Sequence, residues 1–296
     1  MCKLTIFTAA YNRAYILPKL YESLCSQTCF NFEWLVVDDG SQDNTVELLE
    51  KWKSEEKNFS FRYVQLNHGG KNRAINKAVS LAAGSFFLIV DSDDYLSKDA
   101  VEWVCSKIPE IENNSKYAGF SGIRCKMGGS YIVEPRFNGN PFIDCLNIER
   151  KQFNLHADMA EVYKTEILQR YPFPAIVGET FIPENVVWDA VALDGFFVRW
   201  YDKKIYYCEY LEDGITKSWN DLRKKNPIGF AMSANTYLKY AKGIFSKLQL
   251  IGEILYCCFL KGDFSFLRKT VYPKICYALI PMGYIYYLMR KRREHI

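Results

Sequence analysis

Phe86-Phe87-Leu88-Ile89-Val90-Asp91-Ser92-Asp93-Asp94 joins an unbroken apolar run to three carboxylates. The run is short and follows Gly84 and Ser85, so it reads as a buried central strand rather than a helix. Its end then lies at the carboxyl edge of a sheet, where open α/β folds bind ligands. Asp91 and Asp93 fall on one side if strand geometry persists to them. Three carboxylates at one strand end repel each other unless a cation sits among them. Hard oxygen ligands suit Mg²⁺ or Mn²⁺, which in turn bind phosphates. A solvated acidic turn is the bland alternative. A calcium loop is a third reading, with Asp91, Asp93 and Glu102 at its first, third and twelfth positions. Its sixth position is Leu96 instead of glycine and a strand precedes it, so that reading is set aside.

The segments before this stretch repeat one pattern. Leu4–Thr8 reads as a first strand, and a helix follows with Ile16, Leu17, Leu20 and Leu24 on one face. Phe32–Asp38 is a second strand that also ends in acids, Asp38 and Asp39. Asp43 or Asn44 can cap the next helix, which runs towards Lys57. Phe61–Leu66 is a third strand, Gly69-Gly70 a turn, and Lys71–Ala83 a helix. Strands alternating with helices mean βαβ units and a parallel sheet. No Gly-x-Gly-x-x-Gly follows the first strand and no Walker A spacing precedes Lys71, so phosphates must be held another way. Beyond the acids, a helix is expected at 100–111 and strands near 117–124 and 196–207. Residues 128–150 carry Gly, Pro and Asn and give no clear element.

Composition limits the classes. The 296 residues are 49% hydrophobic and 24% charged, which describes a globular chain. The ten cysteines form no CxxC pair and read as reduced thiols of a cytosolic protein. Three histidines supply a zinc site or a histidine-based triad poorly. The net charge of +4 is unevenly spread. From Lys217 onward 15 Lys/Arg face 4 Asp/Glu, a net of +11, whereas the remainder has 23 and 30, a net of −7. Such a basic end meets an anionic partner. The acidic remainder argues against nucleic acid.

Four motifs in fixed order resemble the family-2 glycosyltransferases. They are Thr8-Ala-Ala-Tyr-Asn-Arg13, Asp38-Asp-Gly-Ser41 with Asp43 and Thr45, Gly70-Lys-Asn-x-Ala-x-Asn76, and Asp91-Ser-Asp-Asp94. The likeness continues more loosely to about Thr216. It implies a GT-A fold, a mixed, mainly parallel sheet flanked by helices, over about residues 1–216. Residues 217–296 would be a helical, basic and aromatic, membrane-associating extension. It also implies inverting transfer from a nucleotide sugar, a UDP sugar above all, with a Mn²⁺ or Mg²⁺ cofactor. A saccharide or lipid-linked saccharide in polysaccharide assembly would be the acceptor. The rival readings are a nucleotidyltransferase and an inactive sugar- or lipid-binding protein.

The resemblance assigns roles to residues. Asp39 takes the uracil edge and Tyr11 offers a stacking face. Thr8, Ala10 and Asn12 line the first turn beside the nucleoside. Arg13 and Lys71 are candidates for the diphosphate. Asp91-Ser92-Asp93 is the DxD element, with Asp93 the favoured direct metal ligand. Asp213 is a weaker further metal contact. The acceptor hydroxyl needs a base, and the family places a carboxylate at a helix start. Here Pro183-Glu184-Asn185 matches, with an amide where the second acid usually stands, so the role falls to Glu184 unless Glu179 or Asp189 takes it.

Val271–Met289 is apolar and tyrosine-rich, and Arg290-Lys-Arg-Arg293 follows it. Pro273, Pro281 and Lys274 argue against a spanning helix. An interfacial segment on an anionic leaflet is expected, and with it a cytoplasmic protein peripheral to the inner face of the membrane. Helices packed on the catalytic domain are the alternative.

Overall fold

The computed structural model describes residues 3–208 and 219–293. The chain divides into two compact units, Met1–Pro172 with Val191–Leu211, and Phe173–Ala190 with Glu212–Ile296. The expected boundary at 216 lies outside the described residues.

The first unit is built on one sheet. Its strands are β1 (Leu4–Ala10), β2 (Phe32–Asp38), β3 (Ser60–Gln65), β4 (Phe86–Ile89), β5 (Tyr95–Leu96), β6 (Tyr117–Lys126), β7 (Phe142–Cys145), β8 (Met159–Lys164) and β9 (Phe197–Cys208). Their spatial order is β3-β2-β1-β4-β8-β6-β9-β5, with β7 paired to β9. β3, β2, β1 and β4 are parallel, as the βαβ reading requires. β8 runs antiparallel between β4 and β6 and makes the sheet mixed. The helices α1 (Leu17–Cys25), α2 (Thr45–Ser54) and α3 (Lys71–Leu81) make the first three crossovers. α4 (Ala100–Ile111) leads into β6, and α5 (Thr165–Arg170) follows β8.

The central strands are apolar because both faces are covered. β1 and β2 are buried almost throughout, and α1 and α4 seal one face with Leu17, Leu20, Leu24, Val104 and Ile108. The edge strand β3 instead alternates exposed and half-buried positions. Burying these strands aligns the carboxyl ends of β1, β2 and β4, so the three motif loops leave the sheet on one edge. β7 and a 3-10 turn at Asn147–Phe153 occupy the stretch that gave no clear element in the sequence.

The second unit contains most of α6 (Asn185–Leu193), then α7 (Trp219–Lys225), α8 (Pro227–Tyr240), α9 (Ile244–Lys261), α10 (Pro273–Ala278) and α11 (Ile280–Arg293). It has its own core, in which Phe230, Leu238, Ile254, Leu255, Tyr256 and Cys276 pack together. No described helix is long and apolar enough to cross a membrane. Prolines start α8 and α10 at the position where a missing N–H costs nothing.

The mixed sheet depends on one close approach. A Cβ at Gly119 of β6 would stand 2.1 Å from the Val162 carbonyl oxygen of β8. That oxygen and the Tyr163 Cα, 2.9 Å away, are backbone atoms and cannot rotate away. Gly119→Ala is therefore expected to destabilise the protein by about 1–3 kcal/mol or more, the cost of overpacking. Urea unfolding checks this, and unchanged stability would show that the two strands can separate without penalty.

Candidate active site

The loops after β1 and β2 are tied together by motif residues. The Asn12 N–H donates to Ser41 Oγ (2.9 Å), the Arg13 N–H to Thr45 Oγ1 (2.9 Å) and the Ala14 N–H to Asp43 (3.1 Å). In return the Gln42 N–H donates to the Asn12 side-chain oxygen at 2.7 Å. Asn12 has φ 55°, a left-handed conformation that asparagine tolerates better than most residues. Burial would raise the Asp43 pKa, but its hydrogen bonds from Thr45 and Ala14 outweigh it and hold the carboxyl below its usual range. Ser41, Asp43 and Thr45 thus act by shaping the first turn. Thr8 is similarly committed: it is fully buried and accepts from Trp34 Nε1 at 3.1 Å. Buried Ala10 accepts the Asp39 N–H through its carbonyl at 2.8 Å.

Asp39 fixes the loop in front of α3. Its two carboxylate oxygens accept the Gly69 and Gly70 N–H groups at 2.9 and 2.8 Å. His68 Nδ1 lies 2.9 Å from the same carboxylate. The His68 ring stacks on Tyr11 with centroids 4.3 Å apart, while both side chains keep an exposed part. An aromatic pair therefore stands beside Asp39 at the sheet edge. Sequence reading found Tyr11 and Asp39 but missed His68, whose only cue is its place before the two glycines.

The three carboxylates after β4 have different environments. Asp91 receives Lys71 Nζ at 2.6 Å from the start of α3, and Arg124 at 3.2 Å from β6. Burial would raise its pKa, but these two cations hold it well below the usual carboxylate range. Asp94 is buried; it accepts from Arg124 at 2.6 Å and from the Tyr206 hydroxyl of β9 at 2.9 Å. The Tyr206 hydroxyl in turn accepts the Asp91 N–H at 2.8 Å. Burial pushes the Asp94 carboxyl up to about 7, opposed by Arg124 and reinforced by Asp91 and Asp93. Burial also drives the Tyr206 hydroxyl well above its ordinary value, so it stays a donor. Ser92, between the acids, is buried.

Asp93 differs from both. It is half-exposed, and among the described residues it makes no ion pair. Burial and the Asp91 charge raise its pKa, and the charge of Arg13 only partly offsets them. This is the residue whose negative charge the protein itself balances least. Among the described residues no group of three or more acids, histidines or cysteines forms a cage for a metal ion. A cation held by one or two carboxylates and completed by substrate phosphates needs no such cage, and that is the usual Mg²⁺ arrangement. Asp93 with Asp91 fits it. Asp213 lies outside the described residues. Arg124 and Tyr206 were missed in the sequence. Arg124 is the lone charge in the predicted strand 117–124, and that was the available cue.

The second unit separates the three candidate bases. Buried Glu179 accepts the Ile228 and Gly229 N–H groups at 3.0 and 2.8 Å, which caps the start of α8. Asn226 accepts the Thr180 and Phe181 N–H groups at 2.7 and 3.0 Å, so the same segment is clamped twice. Buried Asp189 accepts from Tyr240 at 3.0 Å and from Asn185 at 3.3 Å. Glu184 stands at the start of α6, where its carbonyl accepts the Val187 and Trp188 N–H groups, and its side chain is half-exposed.

Comparison with known proteins identifies the family and the fold. Residues 5–156 match the model of glycosyl transferase family 2. The chain is 27% identical over 229 residues to the glycosyltransferase GlyA of Streptococcus pneumoniae, covering 74% of this chain and 32% of that protein. It is 34% identical over 125 residues to the poly(ribitol-phosphate) beta-N-acetylglucosaminyltransferase TarS of Staphylococcus aureus, covering 42% and 22%. The chain thus spans about a third or less of these relatives. Residues 1–349 of S. aureus TarS, solved with UDP-GlcNAc, superpose with a TM-score of 0.62 at 19% identity, covering 98% of this chain and 92% of that one. The mannosyltransferase PcManGT of Pyrobaculum calidifontis, solved with GDP-Man and Mn²⁺, gives 0.58 at 16% identity, covering 99% and 82%. The GT-A fold expected from the motifs is the fold observed.

The carboxylate environments set a pH dependence. Asp94 binds its proton more tightly folded, at about 7, than an unfolded aspartate does, at about 3.9. Its contribution to stability is therefore complete below about pH 4 and is lost as pH rises towards about 7. Asp91 has the opposite sign and loses its contribution only below about pH 4. In metal-free buffer the stability of wild type relative to Asp94→Asn should fall from about pH 4 to about pH 7. Urea midpoints at a series of pH values measure it, and parallel profiles would contradict the buried, proton-holding Asp94.

Proposed function

The chain belongs to glycosyl transferase family 2, and on that premise we propose that it moves a sugar from a UDP sugar to a saccharide or lipid-linked saccharide acceptor by inverting single displacement. The observation that carries this is the carboxyl end of β4, where Lys71 and Arg124 pair with Asp91, Asp94 is buried against Arg124 and Tyr206, and Asp93 makes no ion pair among the described residues. A diphosphate brings further negative charge to this edge, which a cation beside Asp93 would offset. A bound Mn²⁺ or Mg²⁺ would neutralise the leaving nucleoside diphosphate. Asp93 is its direct ligand in this reading, with Asp91 beside it.

The remaining roles belong to the chain's own groups. Tyr11 offers a ring to the uracil, and Asp39 an acceptor to its edge. Thr8, Ala10 and Asn12 shape the turn that carries Tyr11, and Ser92 spaces the two acids. Arg13 and Lys71 place positive charge beside the diphosphate. Glu184 takes the proton of the acceptor hydroxyl. Glu184 stands at the helix start that the resemblance assigns to the base and its side chain is half-exposed, whereas Glu179 and Asp189 are buried. The name of the TarS relative, a poly(ribitol-phosphate) beta-N-acetylglucosaminyltransferase, supports a polymer as the acceptor class. A cytoplasmic site at a membrane surface would meet an acceptor carried on lipid.

Glu184→Gln should leave UDP affinity nearly unchanged and lower turnover by about 10²-fold or more, as loss of a general base does. Turnover is read as UDP released from a panel of UDP sugars with a lipid-linked saccharide acceptor. Collapse of UDP affinity would instead make Glu184 a ligand or a structural cap. Inactivity of Asp189→Asn with full activity of Glu184→Gln would move the base by about one helical turn.

A further inference from the structure

The second unit ends in a helical pair with an unusual surface. α9 and α11 run antiparallel: Tyr286 and Arg290 reach Glu253, Tyr284 packs on Phe259, and Leu255 sits where a Cβ on Gly283 would come within 2.7 Å. Only the Gly283, Tyr287 and Arg290 side of α11 turns inward. Its outer side carries Met282, Ile285 and Met289, spaced as one helical stripe and 67, 59 and 54% exposed. The first turn of α9 adds Ile244 and Phe245, 74 and 84% exposed. Large apolar side chains at such exposure in water mark a surface built for something else.

The charge beside this surface identifies the partner. From Phe264 to Arg293 the chain has no acidic residue. Lys242, Lys274, Lys291 and Arg292 are exposed on or next to the same elements. Arg290 is excluded from that set, because Glu253 holds it. In the sequence it is one of four consecutive basic residues, Arg290-Lys-Arg-Arg293. A protein partner would have to be both apolar and acidic over two helices. An anionic bilayer offers both properties over any area, with an apolar interior beneath a negative headgroup layer.

We propose that the outer face of α11 and the first turn of α9 form one docking surface for an anionic lipid bilayer. Ile244, Phe245, Met282 and Ile285 insert below the headgroups, and Lys242, Lys274, Lys291 and Arg292 lie on the phosphates. The helices lie along the surface, since none described is long and apolar enough to cross it. This deepens the reading of a membrane-bound acceptor by naming the surface that finds the membrane. It narrows the membrane-associating extension expected over residues 217–296 to named side chains of α9, α10 and α11.

The test is flotation of the full chain with vesicles of equimolar phosphatidylglycerol and phosphatidylcholine, and with phosphatidylcholine alone. Binding to the mixed vesicles should exceed binding to the neutral ones. The double variant Ile244→Glu, Phe245→Glu should lower it about 10-fold or more, and Met282→Glu, Ile285→Glu likewise. Both pairs are solvent-facing, so the melting temperature should stay unchanged and certify the fold. Wild-type protein that fails to float, or variants that float as it does, would overturn the proposal. So would a wild-type dimer that both variants dissociate without any vesicle binding, since the partner would then be a second copy. UDP titration of the same samples keeps the two readings apart: flotation without UDP binding upholds this surface and defeats the proposed donor site.

Discussion

Charge compensation at the end of β4 is the constraint on which the site depends. Three aspartates within four residues cannot all be ionised and buried without cations. Lys71 and Arg124 supply two, and Tyr206 fixes the segment by accepting from Asp91 and donating to Asp94. These partners come from α3, β6 and β9, so they tie the parallel part of the sheet to the mixed part. Lys71 and Arg124 hold Asp91 ionised, burial lets Asp94 keep its proton to about pH 7 beside Arg124, and Asp93 has no ion-pair partner among the described residues. Local electrostatics thereby divides three chemically identical side chains into two structural acids and one candidate ligand.

The first hundred residues were legible because each unit of information in them is local. An apolar run, a turn motif and an amphipathic helix follow one another, and the parallel order of β3-β2-β1-β4 comes with them. The motif residues were found, but several of their roles were not. Ser41, Asp43 and Thr45 hold backbone N–H groups of the neighbouring loop, a contact across about thirty residues that no spacing rule reports. Asp39 likewise binds Gly69 and Gly70. Arg124, Tyr206 and His68 escaped because their significance exists only once β6, β9 and the β3–α3 loop are brought beside the acids.

The second unit shows the same division between local and distant information. The helix start at Pro183-Glu184 could be read directly, but the sequence left Glu179 and Asp189 open as alternatives to Glu184. Their environments separate them, because a cap needs backbone donors and a buried acid needs a hydroxyl or amide partner. Composition foretold a basic, aromatic end. It could not show which basic residues are consumed internally, and the Glu253–Arg290 pair appears only when α9 meets α11. These helices pack a core of their own and leave apolar side chains of α9 and α11 exposed.

Calorimetric titration of UDP into wild type and Asp93→Asn, each with Mn²⁺ and with EDTA, tests the reading of the β4 end most directly. Wild type should bind UDP with Mn²⁺ and lose about tenfold or more of that affinity in EDTA, while Asp93→Asn binds weakly in both. Wild-type affinity that is the same in EDTA, or an Asp93→Asn variant that keeps the full Mn²⁺ response, would contradict the assignment of Asp93 as the ligand that balances the diphosphate.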